Sequence, residues 1–316
     1  MATTLPSAKS EVDLDRLGGG EPAVPARRVR KPLFAWLMVL PAALILFAIT
    51  IYPLLFSLRI SFFRYDLTAG VEPVFIGFGN YARLLFDDPR FWSSLGKTAY
   101  LVVAGISIQM VLGIGLASLL SQLRRSRAIM TSLILIPVMM APVVVATQGV
   151  VIYNDQYGPL NYLLNRMGLP GMVWLGDPGI ALQTILLTDI WQWTPFVALI
   201  MAAGMTALPT EVYEAAAVDG ASRRQMFTRL TLPLLQPLII VVVLLRLMDI
   251  FKMFDYVYVL TRGGPGSATE TLSYYNYLQG LQFFSFGYAA ALSFVQIIIL
   301  SVVATVLVRR IRKGFG

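Results

Sequence analysis

Six long apolar runs alternate with polar segments punctuated by proline and glycine, at about Leu33–Phe56, Thr98–Leu120, Ile129–Tyr153, Leu182–Leu208, Leu238–Leu260 and Phe286–Val308. About 20 apolar residues, rising about 1.5 Å each, cross a hydrocarbon layer of about 30 Å. The pattern therefore predicts an all-α membrane protein with six transmembrane helices. Ahead of the first run, residues 1–31 mix Gly, Pro, Ser and charges without periodicity and end in RRVRK. That composition predicts a disordered basic tail. It does not read as a signal peptide, because the apolar run after it is too long and no small-residue cleavage site follows.

Composition agrees with this picture. The 316 residues are 57% hydrophobic and 13% charged, where a soluble domain carries about 25% charged residues. A net charge of +8 raises the question of nucleic acid, and the positions of the charges answer it. Arg27, Arg28, Arg30 and Lys31 precede run one, Arg124, Arg125 and Arg127 follow run two, Arg223, Arg224 and Arg229 follow run four, and Arg309, Arg310, Arg312 and Lys313 follow run six. All fall on one side of a six-span chain, while the opposite loops hold Asp66, Asp87, Asp88, Asp155, Asp177 and Glu270. By the positive-inside rule the tail and both termini are cytoplasmic. Nucleic acid is not needed as a partner. The chain has no cysteine and no histidine, which removes thiol nucleophiles, disulfides, imidazole bases and the commonest metal ligands. No metal or catalytic residue is assigned.

The outer loops are rich in Gly, Pro and aromatics. FIGFGNYARLLFDDPRFWSSLGK, between runs one and two, has the helical spacing of a segment lying in the headgroup layer. Most of these aromatics read as membrane-surface packing.

One polar stretch, EVYEAAAVDGASRRQMFTRLTLPLLQP (211–237), sits between runs four and five. Thr210 is positioned to cap a helix whose first turn holds Glu211 and Glu214, acids that suit the positive end of a helix dipole. Gly220 breaks it, and Ser222 with Gln225 forms a capping-box pattern that starts a second helix carrying Met226, Phe227 and Leu230. Pro233 is expected to end that helix. The alanines at 215, 216 and 217 leave a shallow face that a partner could approach closely. A docking element fits better than a plain connector, since most connections are short. A DNA-reading helix-turn-helix would have a recognition helix of only about two turns, pinned beside the bilayer.

Run five carries Arg246, Asp249, Lys252 and Asp255 at intervals of three. Exposed at the bilayer centre, each would cost a few kcal/mol. Pairing along the helix, Arg246 with Asp249 and Lys252 with Asp255, would relieve that cost. The charges line either a watery solute path or an interface with a second subunit. Asp189 is the sole charge inside run four, beside Trp191, Gln192 and Trp193. Asp189, Gln192, Lys252, Asp255 and Tyr256 are the candidates for a translocation path, and the tryptophans read mostly as structural.

EAAAVDGASRRQMFTRLTLPLLQP resembles the cytoplasmic EAA loop of bacterial ABC importer permeases, through Glu214, Ala215, Ala216, Asp219, Gly220, Ala221, Phe227, Leu232, Pro233 and Pro237. FDYVYVLTRGGPGSATETLSYY, FIGFGNYARLL and DPRFW are similar to the carbohydrate branch of that family, which includes the maltose and glycerol-phosphate permeases. The chain looks like a compact six-span subunit, without the extra spans and outer domain of the larger maltose-type permease. The resemblance covers most of residues 33–316, and the domain reading is a tail at 1–31 followed by a permease domain at 32–316 with its coupling loop at 210–237.

The resemblance implies a non-catalytic subunit of the bacterial or archaeal inner membrane. It would pair with a second homologous permease as a heterodimer, dock two ATPase subunits and receive a carbohydrate solute from an extracytoplasmic binding protein. Glu214, Ala215, Ala216, Asp219, Gly220, Ala221, Phe227 and Pro233 would be the ATPase-docking residues, with Glu214 and Gly220 the docking residues proper. ATP and Mg would belong to the partner ATPase, since the chain has no GxxxxGK[ST] loop. The alternative is a stand-alone ion-coupled secondary transporter, with run five as its ion relay. That reading expects an internal repeat with interrupted helices in both halves, which the sequence lacks, although Pro137 and Pro142 interrupt run three.

Overall fold

The computed structural model describes residues 33–68, 70, 72–123 and 126–314, so the basic tail and the pair Arg124 and Arg125 lie outside the described residues. Packing divides the chain into two units, Met1–Pro53 and Leu54–Gly316. In the first unit α1 (Leu33–Leu46) passes through a wide π turn at Phe47–Ile51 and reaches Tyr52. Its apolar side chains from Met38 to Leu40 and from Leu44 to Phe47 are exposed, and a helix apolar all round is one that a membrane would cover.

The second unit opens in α2 (Tyr52–Ile60) and turns through a two-residue antiparallel hairpin, β1 (Phe63–Arg64) with β2 (Val74–Phe75), into α3 (Gly79–Phe86). The long helix α4 (Pro89–Gln122) follows. It starts nine residues before the expected Thr98, because Asp88 caps it through the backbone N–H groups of Arg90 and Phe91 and Pro89 occupies its first turn.

Run three is broken into α5 (Arg127–Met139) and α6 (Pro142–Ile152), which meet at 90°. Pro142 has no N–H to continue the ladder and holds Ala141 extended at ψ 140. After α7 (Pro159–Arg166), α8 (Ala181–Thr206) forms the centre of the unit. Then come α9 (Thr210–Val218), α10 (Arg223–Met226), α11 (Leu232–Leu234) and α12 (Gln236–Phe251). The short helix α13 (Leu272–Tyr277) precedes α14 (Phe286–Gly314).

Among the described residues four helices are long and apolar enough to cross a membrane: Met38–Ile60, Pro89–Gln122, Ala181–Thr206 and Phe286–Arg310. Two bent pairs join them if each crosses as one span: Ala128–Met139 with Pro142–Ile152, and Arg223–Leu234 with Gln236–Phe251, bent by 65°.

The core packs α4 against α8 and α12. Leu101, Ile185, Ile190 and Ile250 belong to one buried cluster, and Ala117, Val197, Met201 and Val242 to another. Gly113 of α4 lets α8 come close, since a Cβ there would lie 2.5 Å from Val197 Cγ1.

Three local expectations change. Thr210 is the first helical residue of α9 and makes no cap; Pro209 stands at that position with extended backbone. Pro233 sits in the first turn of α11, and the chain bends beyond it instead of stopping. The helical spacing of run five ends at Phe251, with Lys252 outside α12, so the geometry that would bring Lys252 to Asp255 is absent.

Candidate functional site

The segment between α8 and α12 takes a helix–turn–helix form. α9 carries Glu214, Ala215 and Ala216 and stops at Asp219, where Gly220 adopts φ +78. A side chain is strained in that left-handed region, and glycine is not. The capping box closes as the spacing predicts: Gln225 N–H donates to Ser222 Oγ at 3.3 Å, and Ser222 N–H to Gln225 Oε1 at 2.8 Å. Tyr213 Oη and Thr231 Oγ1, 2.8 Å apart, fasten the two helices together. Glu214, Asp219 and Gly220 are exposed, and Phe227 is half-buried. A groove of about 310 Å³ runs past Ala216, Gly220, Ala221 and Arg229. The geometry is that of a rigid, prominent turn.

A second concave site lies among α8, α12 and the chain that follows α12. Its volume is about 180 Å³, and Asp189, Trp193, Arg246, Lys252, Asp255 and Tyr256 are among its lining residues. Four of the five path candidates, Asp189, Lys252, Asp255 and Tyr256, thus share one cleft. Gln192 is fully buried behind it, and Trp193, read as structural, is part of the wall.

The strongest electrostatic contact here crosses between helices. Arg246 Nη2 donates to both Asp189 oxygens, at 2.9 and 2.8 Å. Arg246 Nε donates to Gln109 Oε1 at 2.9 Å, and Gln109 Nε2 donates to Asp189 Oδ2 at 2.7 Å. This closed triangle ties α4, α8 and α12 together and neutralises Asp189. Arg246 also approaches Asp249 at 3.5 Å, as the spacing of three predicted. The atom that meets Asp249 is Nη1, which is buried and makes that ion pair without a hydrogen bond among the described residues, and the guanidinium lies 4.9 Å from the Trp193 ring centroid. Gln109 was missed in the sequence because one polar residue in an apolar run carries no periodic signal.

Near the N-terminal ends of α4 and α14, Asp88 and Glu270 are structural anchors. Arg90 forms a bidentate bridge to buried Glu270, with Nε donating at 2.7 Å and Nη2 at 2.6 Å. Tyr275 Oη donates to Asp88 Oδ2 at 2.5 Å, and Tyr288 donates to the same oxygen. Burial pushes the Asp88 carboxyl up, but the two tyrosine hydroxyls and two backbone N–H groups outweigh it and hold its pKa below the usual 3.8. Tyr274 and Tyr275 are buried. Burial, then the Asp88 carboxylate, raises the Tyr275 phenol.

Residues 109–313 match the model of the binding-protein-dependent transport system inner membrane component. The chain belongs to that family. Relatives similar to it include the trehalose/maltose transport system permease protein MalF of Thermococcus litoralis, 36% identical over 79% of this chain and 85% of that protein. The sulfoquinovosyl glycerol transport system permease protein SmoG of Agrobacterium fabrum is 36% identical over 89% of this chain and 91% of its own length. Among solved structures, a chain of a bacterial ABC transporter involved in the import of the acidic polysaccharide alginate superposes with a TM-score of 0.77 at 25% identity, covering 89% of this chain and 95% of that one. The family match begins at Gln109 and so takes in the buried triangle, the cleft and the turn at Gly220. With several apolar helices, this inner membrane component is a multi-pass membrane protein.

Proposed function

We propose that the chain is the permease subunit of an ATP-driven importer of neutral or charged carbohydrate, a di- or oligosaccharide or a related polyol. It would cross the membrane six times with both termini in the cytoplasm, and form half of the translocation path opposite a second permease. The observation that carries this reading is the exposed turn at Gly220, φ +78, framed by α9 and a capped α10. Such a knob of small and acidic residues suits insertion into a cleft of an ATPase subunit. Sugar transport systems among the relatives support the solute class, and a structural neighbour in complex with an alginate-bound periplasmic protein supports delivery by a binding protein. The cleft adds aromatic faces from Trp193 and Tyr256 and polar groups from Lys252 and Asp255, the chemistry that hydroxyl-rich solutes need.

The geometry supports a mechanism for that reading. ATP-driven closure of the ATPase pair would push on the Gly220 turn; the fastening between Tyr213 and Thr231 passes the push to α11 and α12, which carry Arg246 and the cleft. ATP and Mg would be held by the partner subunits. The test is purification of the native complex in mild detergent, with Glu214→Ala and Gly220→Val variants beside the parent. The reading expects a second permease and an ATPase to co-purify, and expects both variants to lose ATP-dependent uptake while still inserting in the membrane. A lone chain that moves solute in vesicles without ATP would replace it with a secondary transporter.

A further inference from the structure

The break in run three leaves a backbone carbonyl without a helix. Met140 lies beyond the end of α5 with extended backbone at ψ 141. The next turn begins from the Ala141 carbonyl, which accepts from Val144 and Val145. The Met140 carbonyl is satisfied from another helix, by Gln192 Nε2 at 2.8 Å. A carbonyl freed from the helix ladder needs another donor, and this part-buried bond supplies it at the break.

The other end of the same side chain faces the cleft wall. Gln192 Oε1 accepts from Tyr256 Oη at 2.5 Å, and Tyr256 Oη accepts from Trp193 Nε1 at 3.2 Å. Tyr256, Trp193 and Pro142, the first residue of α6, all line the cleft, whereas Gln192 is fully buried and touches none of its space. A solute that moves Tyr256 or Trp193 must stretch or remake the bond to Gln192, and through it the bond to Met140. Sharp helix breaks with backbone held by a side chain are the places where a span can pivot.

We infer that Gln192 is a positioning residue of the transport cycle: it couples the wall of the cleft to the 90° break between α5 and α6. It contacts no solute itself. The inference rests on the importer reading, because the driving motion is that of the ATPase pair.

The chain has no cysteine, so Ala141→Cys gives this subunit a single thiol at the exposed break, and labelling is read on this subunit's band. In the complete complex reconstituted in nanodiscs, the rate of maleimide labelling is measured without nucleotide and with MgATP plus vanadate as the probe. The parent reporter should change its rate within the usual range of site-to-site coupling, about 5- to 150-fold. Gln192→Met keeps the volume and loses both bonds; Tyr256→Phe loses only the hydroxyl. Each should reduce the nucleotide response to within about twofold of none, and the double variant should add nothing further, as for two members of one relay. Tyr256→Phe keeps the test sound if Gln192→Met does not fold. An undiminished response in Tyr256→Phe, or losses that multiply in the double variant, would overturn the relay. A parent reporter that ignores nucleotide, in a complex that does contain the ATPase, would overturn the importer mechanism instead.

Discussion

At the scale of single residues, two carboxylates show how burial is tolerated. Asp189 and Arg246 are both almost completely buried, and each is solvated by the other and by Gln109. Removing one partner of such a pair costs about 3–5 kcal/mol, whereas replacing both with apolar groups of similar size is often neutral. Asp189→Asn should therefore destabilise the detergent-solubilised chain more than the double variant Asp189→Leu with Arg246→Met, as read by thermal unfolding. A double variant that lost as much as the sum of its singles would remove the pairing argument. Asp88 makes a pH prediction. Its folded pKa lies below the ordinary 3.8, so the bonds to Tyr275 and Tyr288 contribute fully above that value and are lost as pH falls through the lower folded one. Asp88→Asn should cost about 1–3 kcal/mol at neutral pH and should flatten the loss of stability on acidification below about pH 4. An unchanged acid limb would mean that other carboxylates control it.

At the scale of elements, α4 and α8 meet where Gly113 faces Val197. Gly113→Val would force the helices apart at a typical overpacking cost of about 1–3 kcal/mol. Gly115→Val has open space and should be nearly silent in the same unfolding assay; equal effects would place the sensitivity in helix propensity. The same elements show what was legible in the sequence. Apolar runs marked the four helices long enough to cross a membrane and the two bent pairs, because length and composition are local properties. The capping box at Ser222 and the turn at Gly220 were legible because each is local chemistry: a hydroxyl three residues from an amide, and a glycine where φ must be positive. The 90° break was hinted at by Pro137 and Pro142, but its angle depends on what α8 offers to the freed carbonyl. The partners of Asp189 were not legible. Spacing within run five pointed Arg246 toward Asp249, three residues away, and the structure keeps that contact while adding Asp189 and Gln109 from two other helices. Pairing across helices leaves no period in one sequence.

At the scale of the whole molecule, the distribution of charge against the apolar helices predicts how the chain lies in the membrane. Arg223, Arg224 and Arg229 surround the turn after α8, while the N-terminal ends of α4 and α14 hold Asp88, bound by Tyr275 and Tyr288, and Glu270, bound by Arg90. If each bent pair crosses once, the turn at Gly220 and the segment before α13 face opposite sides of the membrane. The absence of cysteine makes the test direct. Thr228→Cys and Ser267→Cys each place one thiol at an exposed position, the first beside the turn and the second before α13. In intact cells a membrane-impermeant maleimide should label Ser267→Cys and spare Thr228→Cys until the membrane is opened. That outcome puts the turn in the cytoplasm, where an ATPase can reach it. Labelling of Thr228→Cys in sealed cells would place the turn outside, and the docking role would fall with it, whatever the likeness of its sequence. Labelling of both positions would mean that one bent pair enters and leaves by the same face, giving fewer crossings and no closed path opposite a partner.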